Sequence, residues 1–208
     1  MADDPYCYPG TNVLVNKEDI RDADDLEQFE RLATAQRIRE GLPSVPLTVN
    51  GYCELHRHIF QDVYQWAGKF RTVDISKGGH LFCRPAFIAG QMDERFKAIR
   101  QGLLQGLTED EFAARAADHL CELNAIHPFR EGNGRTMRAF LEVAGRHAGH
   151  AVHVEHIDAA AWVAASRESF ASGKSAGMRI VVGAIIGSMP DRAARRRRPR
   201  DRGPARDR

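Results

Sequence analysis

Apolar residues recur at helical spacing along most of the chain. Met92, Phe96 and Ile99, for example, fall on one face of a helix, as expected where one side packs against a core. The same spacing of three and four residues occurs in six other segments. The pattern therefore predicts seven helices, over about residues 19–41, 48–66, 85–105, 108–125, 134–149, 157–171 and 175–188.

Capping and helix-breaking residues mark the two central helices. Thr108 and Glu111 have the spacing of a capping box, in which each side chain bonds the backbone N–H of the other residue. Pro128 disfavours helical backbone at the residue before it, so this helix is expected to end near Ala125. The next helix is predicted to begin around Gly134, which leaves a short connection between the two.

The segment 70–82 has a different pattern. Thr72, Val73 and Ile75 favour a strand, Gly78-Gly79 interrupts it, and apolar residues then resume. Two short extended runs separated by Gly-Gly are typical of a β-hairpin, although an irregular loop has a similar composition. The chain is therefore predicted to be mostly α, a single helical domain with one small β-hairpin.

The composition is that of one globular domain. With 208 residues, of which 43% are hydrophobic and 28% charged, the chain can bury one core. No run reaches the ~20 apolar residues of a membrane span, and the start lacks the basic and apolar stretches of a signal peptide. The four cysteines form no Cys-x-x-Cys pair, which favours reduced thiols. We therefore expect a cytoplasmic protein without a membrane span.

The charge is distributed unevenly. Residues 190–208 contain nine Arg and three Asp, although the formal charge of the whole chain is only +2. Because this tail has almost no apolar side chains, it is expected to be disordered, which leaves residues 1–189 as the folded domain. An Arg-rich run can bind nucleic acid. A solvated tail is the simpler interpretation, because no folded nucleic-acid-binding motif accompanies it.

Glycine and charged residues are concentrated in the connection between the two central helices. Residues 127–138 read His-Pro-Phe-Arg-Glu-Gly-Asn-Gly-Arg-Thr-Met-Arg. The Gly132-Asn133-Gly134 run lets the backbone turn tightly, and at the start of a helix its amides can bind an anion. Arg135 and Arg138 are three residues apart, so they share one helix face and can contact adjacent phosphates.

Glu131 and His127 complete a set of groups suited to phosphate chemistry. Glu131 offers a hard oxygen ligand for a Mg²⁺ ion that also contacts phosphates. His127 can take up a proton near neutral pH. An anion-binding loop, a metal ligand, a base and an arginine pair are the parts that phosphoryl-group chemistry needs.

This stretch resembles the motif of the Fic family, H-x-F-x-[DE]-G-N-G-R-x-x-R, and it matches every specified position. Similarity to the family extends over roughly residues 6–188 and includes Tyr8–Thr11, Phe60–Gly68 and Arg71–Gly79. The resemblance implies a Fic-type helical domain. It also implies an enzyme that transfers AMP from ATP to a Tyr, Thr or Ser hydroxyl of another protein and releases pyrophosphate.

The resemblance implies a role for each motif residue. His127 would deprotonate the target hydroxyl, and Glu131 would position Mg²⁺ between the α- and β-phosphates of ATP. The implied phosphate-binding residues are Gly132, Asn133, Gly134, Arg135 and Arg138. The intact motif glycines argue against the relatives that transfer phosphate or phosphocholine. The motif does not specify the base of the nucleotide, so transfer of UMP stays an alternative.

A second implied feature is the flap, a β-hairpin that covers the nucleotide and pairs with the backbone of the target protein. Residues 74–85 match it. Pairing of this kind adds a strand to an open sheet edge. Lys77, Gly78 and Gly79 would then lie near the ATP.

Regulation can also be inferred from the resemblance. Family members are commonly inhibited by a helix with the motif [ST]-x-x-x-E-[GN], whose Glu pairs with the second motif arginine, here Arg138. Glu precedes Gly only at residues 40 and 131, and neither is preceded four positions earlier by Ser or Thr. The inhibitory motif is therefore absent from this chain. The resemblance then implies either a separate small antitoxin that carries the helix, which we favour, or a bacterial effector translocated into another cell.

Histidines outside the motif are expected to be structural or exposed. His147, His150, His153 and His156 recur every three residues, but the run crosses Gly149 and a helix end, so convergence on a metal is not expected. His56 and His58 would point to different sides of a helix.

Overall fold

The computed structural model describes residues 4–188, and the predicted disorder of residues 190–208 lies outside this range. The described part contains seven α-helices: α1 Ala23–Arg39, α2 Val49–Phe60, α3 Pro85–Arg100, α4 Glu109–Ile126, α5 Asn133–Ala148, α6 Ala159–Ser172 and α7 Ala176–Gly183. Two short antiparallel pairs accompany them, β1 Ser76–Lys77 with β2 His80–Leu81 and β3 His150–Val152 with β4 Ile186–Ser188. The predicted mostly helical fold is confirmed.

Helix α4 lies at the centre of the core. Its apolar residues Phe112, Leu120 and Leu123 are almost fully buried, and the helix contacts α3, α5, α6 and α7. A smaller cluster of apolar side chains joins α1 to α2 and includes Phe60. The two helices that flank the connection between α4 and α5 are therefore fixed by packing against other helices.

The ends of α4 agree with the sequence prediction. Thr108 Oγ1 accepts a hydrogen bond from the Glu111 amide, and Glu111 Oε2 accepts one from the Thr108 amide at 2.9 Å. The helix ends at Ile126 because His127 adopts the left-handed conformation, with a φ of 49°. The capping box is confirmed, and so is a helix end just before Pro128.

Three other helices are shorter than predicted. Asp22 caps α1 by accepting bonds from two amides of the first turn, so that helix begins at Ala23. Residues 61–68 form turns, in which Trp66 stacks on Tyr64 at 4.3 Å instead of extending α2. Helix α3 ends two residues before Gly102, whose φ of 91° is not helical.

The helix predicted over 175–188 is wrong in its second half. Helix α7 ends at Gly183, and Ile186 pairs with Val152 as part of a second strand pair that the sequence analysis missed. Glycine is a weak helix former, and Gly183 and Gly187 both fall in this segment. Backbone bonds to a distant strand therefore replace those of the helix.

The hairpin predicted within 70–82 is confirmed, with strands of two residues each. Gly78 and Gly79 connect them, with φ values of 59° and 82°. Two consecutive left-handed residues are the requirement of the tight turn that matches strand twist, and glycine meets it without steric cost. Across residues 4–188, no helix is long and apolar enough to cross a membrane.

Candidate active site

The connection between α4 and α5 has a fixed shape. Phe129 is fully buried and stacks on Tyr52, with ring centroids 5.7 Å apart. The Asn133 side chain closes the loop: its Oδ1 accepts from the Phe129 amide at 2.9 Å, and its Nδ2 donates to the Phe129 carbonyl at 2.8 Å. These two bonds hold the Asn133 side chain in place as a brace of the loop.

Gly132 lets the loop pack closely against α2. Its φ is 85°, and a Cβ atom at this position would lie 2.2 Å from the Phe60 ring. The Gly132 amide donates to Glu131 Oε1 at 2.8 Å. Gly134, in contrast, faces open space, with nothing within 4 Å of the position of a Cβ. The two glycines therefore serve different purposes, one for packing and one for access.

The proton on the neutral His127 ring can be assigned from its hydrogen bond. Its Nδ1 lies 3.1 Å from the Asn124 carbonyl oxygen, which can only accept. Nδ1 therefore carries the proton, and Nε2 keeps a free lone pair. The ring stacks on Phe82 of the flap, with centroids 3.9 Å apart, and Phe82 in turn stacks on Phe170 at 4.3 Å.

His127 is neutral at physiological pH. The pKa of its imidazole is lowered to about 4, chiefly by burial, and the positive charges of Arg71 and Lys77 contribute to this shift. The hydrogen bond to the Asn124 carbonyl opposes this shift, because it favours the protonated ring. The net result is a ring that can accept a proton at Nε2.

A cavity of about 590 Å³ lies beside His127. The flap and α6 form part of its wall, with Trp162 and Phe170 contributed by α6. Seven of the ten predicted site residues line it: Lys77, Gly78, His127, Glu131, Asn133, Gly134 and Arg138. The volume falls within the roughly 300–1,000 Å³ of small-molecule sites.

The other three predicted residues are Gly79, Gly132 and Arg135. Gly79 lies in the hairpin turn and Gly132 lies against Phe60. Arg135 does not line the cavity: its Nη2 donates to Glu30 of α1 at 2.5 Å and lies 3.4 Å from Glu131 Oε1. The same guanidinium lies 4.6 Å from the centre of the Phe60 ring. Arg135 thus ties α5 to α1, and its predicted contact with phosphate stays a prediction.

Arg138 remains available for an anion. Its Nε is 3.4 Å from the Gly134 carbonyl, and no acidic side chain within residues 4–188 forms an ion pair with it. Burial lowers the pKa of its guanidinium, and the neighbouring Arg135 adds to the effect. An arginine still stays charged under such conditions. Arg138 therefore gives the cavity a positive charge that no described carboxylate neutralises.

His56 supports the loop in a way that the sequence analysis did not identify. It is fully buried on α2, and the Gly68 amide donates to its Nδ1 at 2.8 Å. Its Nε2 must then carry the proton, which it donates to the Glu131 carbonyl at 3.0 Å. Burial lowers the pKa of this ring to about 4. His56 therefore fixes the backbone from which the Glu131 side chain projects.

The histidine run converges only in part. His147 and His150 each bond a backbone carbonyl, of Val45 and Leu107. The ligand atoms of His153, Glu155 and His156 lie within 4.8 Å of one another, contrary to the expectation that none would converge. Imidazole suits transition metals better than Mg²⁺, so this group does not replace Glu131 as a magnesium ligand.

Known proteins are similar to this chain in sequence and in fold. The model of the Fic/DOC family matches residues 46–144. A probable protein adenylyltransferase, y4lH of Sinorhizobium fredii, is 42% identical over 171 residues, which are 81% of this chain and 89% of that protein. The Fic protein of Salmonella typhimurium, also a probable protein adenylyltransferase, is 35% identical over 86% of this chain and 90% of its own length.

Solved structures of other proteins are similar to this chain in fold. BepC of Bartonella tribocorum, a VirB-translocated effector with bound AMPPNP, superposes with a TM-score of 0.82 at 27% identity, over 89% of this chain and 97% of that one. A Fic domain of Bartonella quintana with bound ADP gives a TM-score of 0.80 at 26% identity, over 88% of this chain and 94% of that one.

Proposed function

This chain belongs to the Fic/DOC family, and on that premise we propose that it is a protein adenylyltransferase in which His127 is the general base. It would transfer AMP from ATP to a Tyr, Thr or Ser hydroxyl of a target protein. The observation that carries the proposal is the hydrogen bond between His127 Nδ1 and the Asn124 carbonyl, from which we assign the proton to Nδ1 and a free lone pair to Nε2, able to accept the hydroxyl proton.

The reaction needs one proton transfer and one displacement at phosphorus. His127 Nε2 accepts the proton of the target hydroxyl while its oxygen forms a bond to the α-phosphorus of ATP. The bond between the α-phosphorus and the bridging oxygen breaks, and pyrophosphate leaves with its electron pair. The amides at the start of α5 and the Arg138 guanidinium can stabilise the negative charge of the phosphates.

Glu131 is the candidate Mg²⁺ ligand. Its carboxylate is exposed and lies at the cavity. Magnesium typically takes one or two carboxylates together with substrate phosphates and water, so a single acidic residue fits the ion. When bound, Mg²⁺ neutralises charge on the phosphates. The Gly132 amide and the buried His56 hold Glu131 in position.

The low pKa of His127 fits a base that works only when ATP is bound. A general base is most effective when its pKa lies near the working pH. With a pKa of about 4, the free enzyme holds a weak base. Negative charges near an imidazole favour its protonated form, so the bound triphosphate raises the pKa towards neutrality.

The nucleotide can be identified by mass spectrometry. A bacterial lysate is incubated with the protein and either ATP or UTP, and modified peptides are sequenced. We expect a mass gain of one AMP on a hydroxyl side chain with ATP and no modification with UTP. A gain of UMP would support the alternative nucleotide, and a gain of phosphate alone would contradict the proposed reaction.

We infer that the flap, residues 74–85, docks the target. Its strands are exposed on both sides, and Leu81 presents 58% of its surface to solvent. An extended target segment can therefore add to the open edge of this hairpin and bring its hydroxyl to His127.

Replacing Gly78 and Gly79 with proline tests the flap. Proline cannot adopt their positive φ values, so the hairpin turn should open. We expect target labelling to fall more than the affinity for ATP, with both quantities measured on the same preparation. An equal loss of both would indicate a nucleotide-binding loop with no docking role.

A groove of about 360 Å³ between α1 and α5 offers a site for a separate inhibitor. Ile38 and Leu42 provide apolar surface, and Arg138 lines the groove as well as the cavity beside His127. An amphipathic helix can dock there and place a carboxylate on Arg138. We propose that this partner is a small antitoxin and that the chain acts in the bacterial cytoplasm. Translocation into another cell, as for BepC, is the alternative.

Expression of residues 1–208 alone is expected to slow bacterial growth, and His127→Ala should restore it. Co-expression of a small protein encoded beside this chain should also restore growth. It should not restore growth when the chain carries Ile38→Glu, because that substitution places a charge in the groove where the inhibitor is proposed to bind. Leu32→Glu is the matched control, because Leu32 is exposed on the same helix and does not line the groove. Normal growth with active protein and no such neighbour would favour the translocated effector.

A further inference from the structure

Arg71 is a buried charge with no carboxylate partner. Only 2% of its surface is exposed, and no acidic side chain among residues 4–188 forms an ion pair with it, although the negative charge of Asp74 acts on it from a longer distance. A buried charge is costly unless hydrogen bonds compensate for the lost water. The burial of Arg71 therefore needs an explanation, and nothing in the proposed reaction supplies one.

Four backbone carbonyls surround the Arg71 guanidinium. Nε donates to His127 at 2.8 Å, Nη1 to Val73 at 2.6 Å, and Nη2 to Ile126 at 3.3 Å and also to Cys83. Ile126 and His127 end α4, where carbonyls lack helical partners and the helix dipole is negative. The end of α4 thus takes the place of a carboxylate.

The four carbonyls come from two functional elements. Val73 directly precedes the flap and Cys83 follows its second strand, whereas Ile126 and His127 belong to the helix end that holds the base. The Arg71 amide also donates to the Pro128 carbonyl at 2.9 Å. One side chain therefore ties the backbone on both sides of the hairpin to the backbone of His127, which has a left-handed φ of 49°.

We propose that Arg71 is a positioning residue that fixes the flap and the His127 backbone relative to each other and keeps a positive charge beside the imidazole. The proposal rests on the assignment of His127 as the base. Arg71 does not line the cavity beside His127. It acts through the backbone geometry of His127 and through its charge.

Several other charged groups face His127. Those that line the same cavity are Lys77, Glu131, Arg138 and Arg167. Arg71 differs from these in being buried and bonded to the His127 carbonyl, so solvent screens it least. Its positive charge lowers the pKa of His127. Without it, the imidazole would stay protonated, and therefore inactive as a base, up to a higher pH.

Two substitutions separate geometry from charge. Arg71→Lys keeps the charge but cannot bond four carbonyls, whereas Arg71→Met removes both. For Arg71→Lys we expect kcat to fall about 10²-fold, the loss that a small misplacement of reacting groups causes, with the KM for ATP nearly unchanged. For Arg71→Met we expect a similar fall. The acid limb of its kcat/KM profile should also move to higher pH, while that of Arg71→Lys stays in place.

The controls keep each outcome decisive. Arg37→Lys alters a surface arginine that pairs with Asp62, and it should leave kcat unchanged. Wild-type kcat in folded Arg71→Lys overturns the proposal, and so does a folded Arg71→Met whose acid limb does not move. If Arg71→Met does not fold, Arg71→Lys decides alone. Wild-type transfer by His127→Asn would instead overturn the proposed function.

Discussion

Replacing His127 with asparagine or alanine is expected to lower AMP transfer by about 10²-fold or more, a typical loss for a general base. The affinity for ATP should change little, because the amides and the Arg138 guanidinium that are proposed to bind the phosphates remain. Asparagine is the better substitution because it should disturb the backbone less than alanine does. It tolerates the left-handed backbone at φ 49°, whereas alanine at this position adds roughly 1–2 kcal/mol of strain.

His58→Ala is the matched control for this experiment. His58 lies on α2, is half-buried, and bonds the Arg37 carbonyl through Nε2 at 3.0 Å. Its loss removes a comparable ring and hydrogen bond without touching the cavity. Transfer rates are compared at saturating ATP with folding verified by circular dichroism. Equal rates for His127→Asn and wild type would exclude His127 as the base.

Gly132→Ala is expected to destabilise the whole domain. The new Cβ would meet the Phe60 ring at 2.2 Å on a backbone with φ 85°. The free energy of unfolding should fall by about 2–5 kcal/mol, since a left-handed alanine costs roughly 1–2 kcal/mol and overpacking roughly 1–3. In thermal unfolding each kcal/mol lowers the Tm of a domain of this size by roughly 2–4 °C.

Gly134→Ala gives the comparison, because it is the same substitution two residues later. Gly134 lies in α5 and has open space where a Cβ would stand. The Tm of the Gly134→Ala variant should therefore equal that of the wild type or be slightly higher. Its methyl group would enter the cavity where the phosphates are proposed to bind, and the affinity for ATP should fall. Equal Tm values for the two variants would contradict the packing role of Gly132.

Local features of the fold could be predicted from the sequence. The Thr108–Glu111 box, the end of α4 before Pro128 and the Gly78-Gly79 turn all depend on neighbouring residues, and all three are confirmed. Short-range backbone preferences are sufficient for such predictions. Seven of the ten predicted site residues, five of them in the motif, line one cavity, and their roles there stay predictions.

Features that depend on contacts between distant segments could not be predicted. Arg135 donates to Glu30, 105 residues away in the sequence, and does not line the cavity. The strand that replaces the end of the last predicted helix exists because Val152 pairs with Ile186. The position of Arg71 in the sequence, three residues before the flap, gives no sign of its role, because only the folded chain brings four carbonyls to its guanidinium. Such contacts override local propensity.

The proposed reaction is tested most directly by the fate of the two ends of the triphosphate. The protein is incubated with lysate and ATP labelled on either the α- or the γ-phosphate, and His127→Asn is run in parallel. Nucleotidyl transfer predicts a labelled target band from α-labelled ATP only, and no band with the variant. A band from γ-labelled ATP, or one that persists in His127→Asn, would contradict adenylyl transfer by this site.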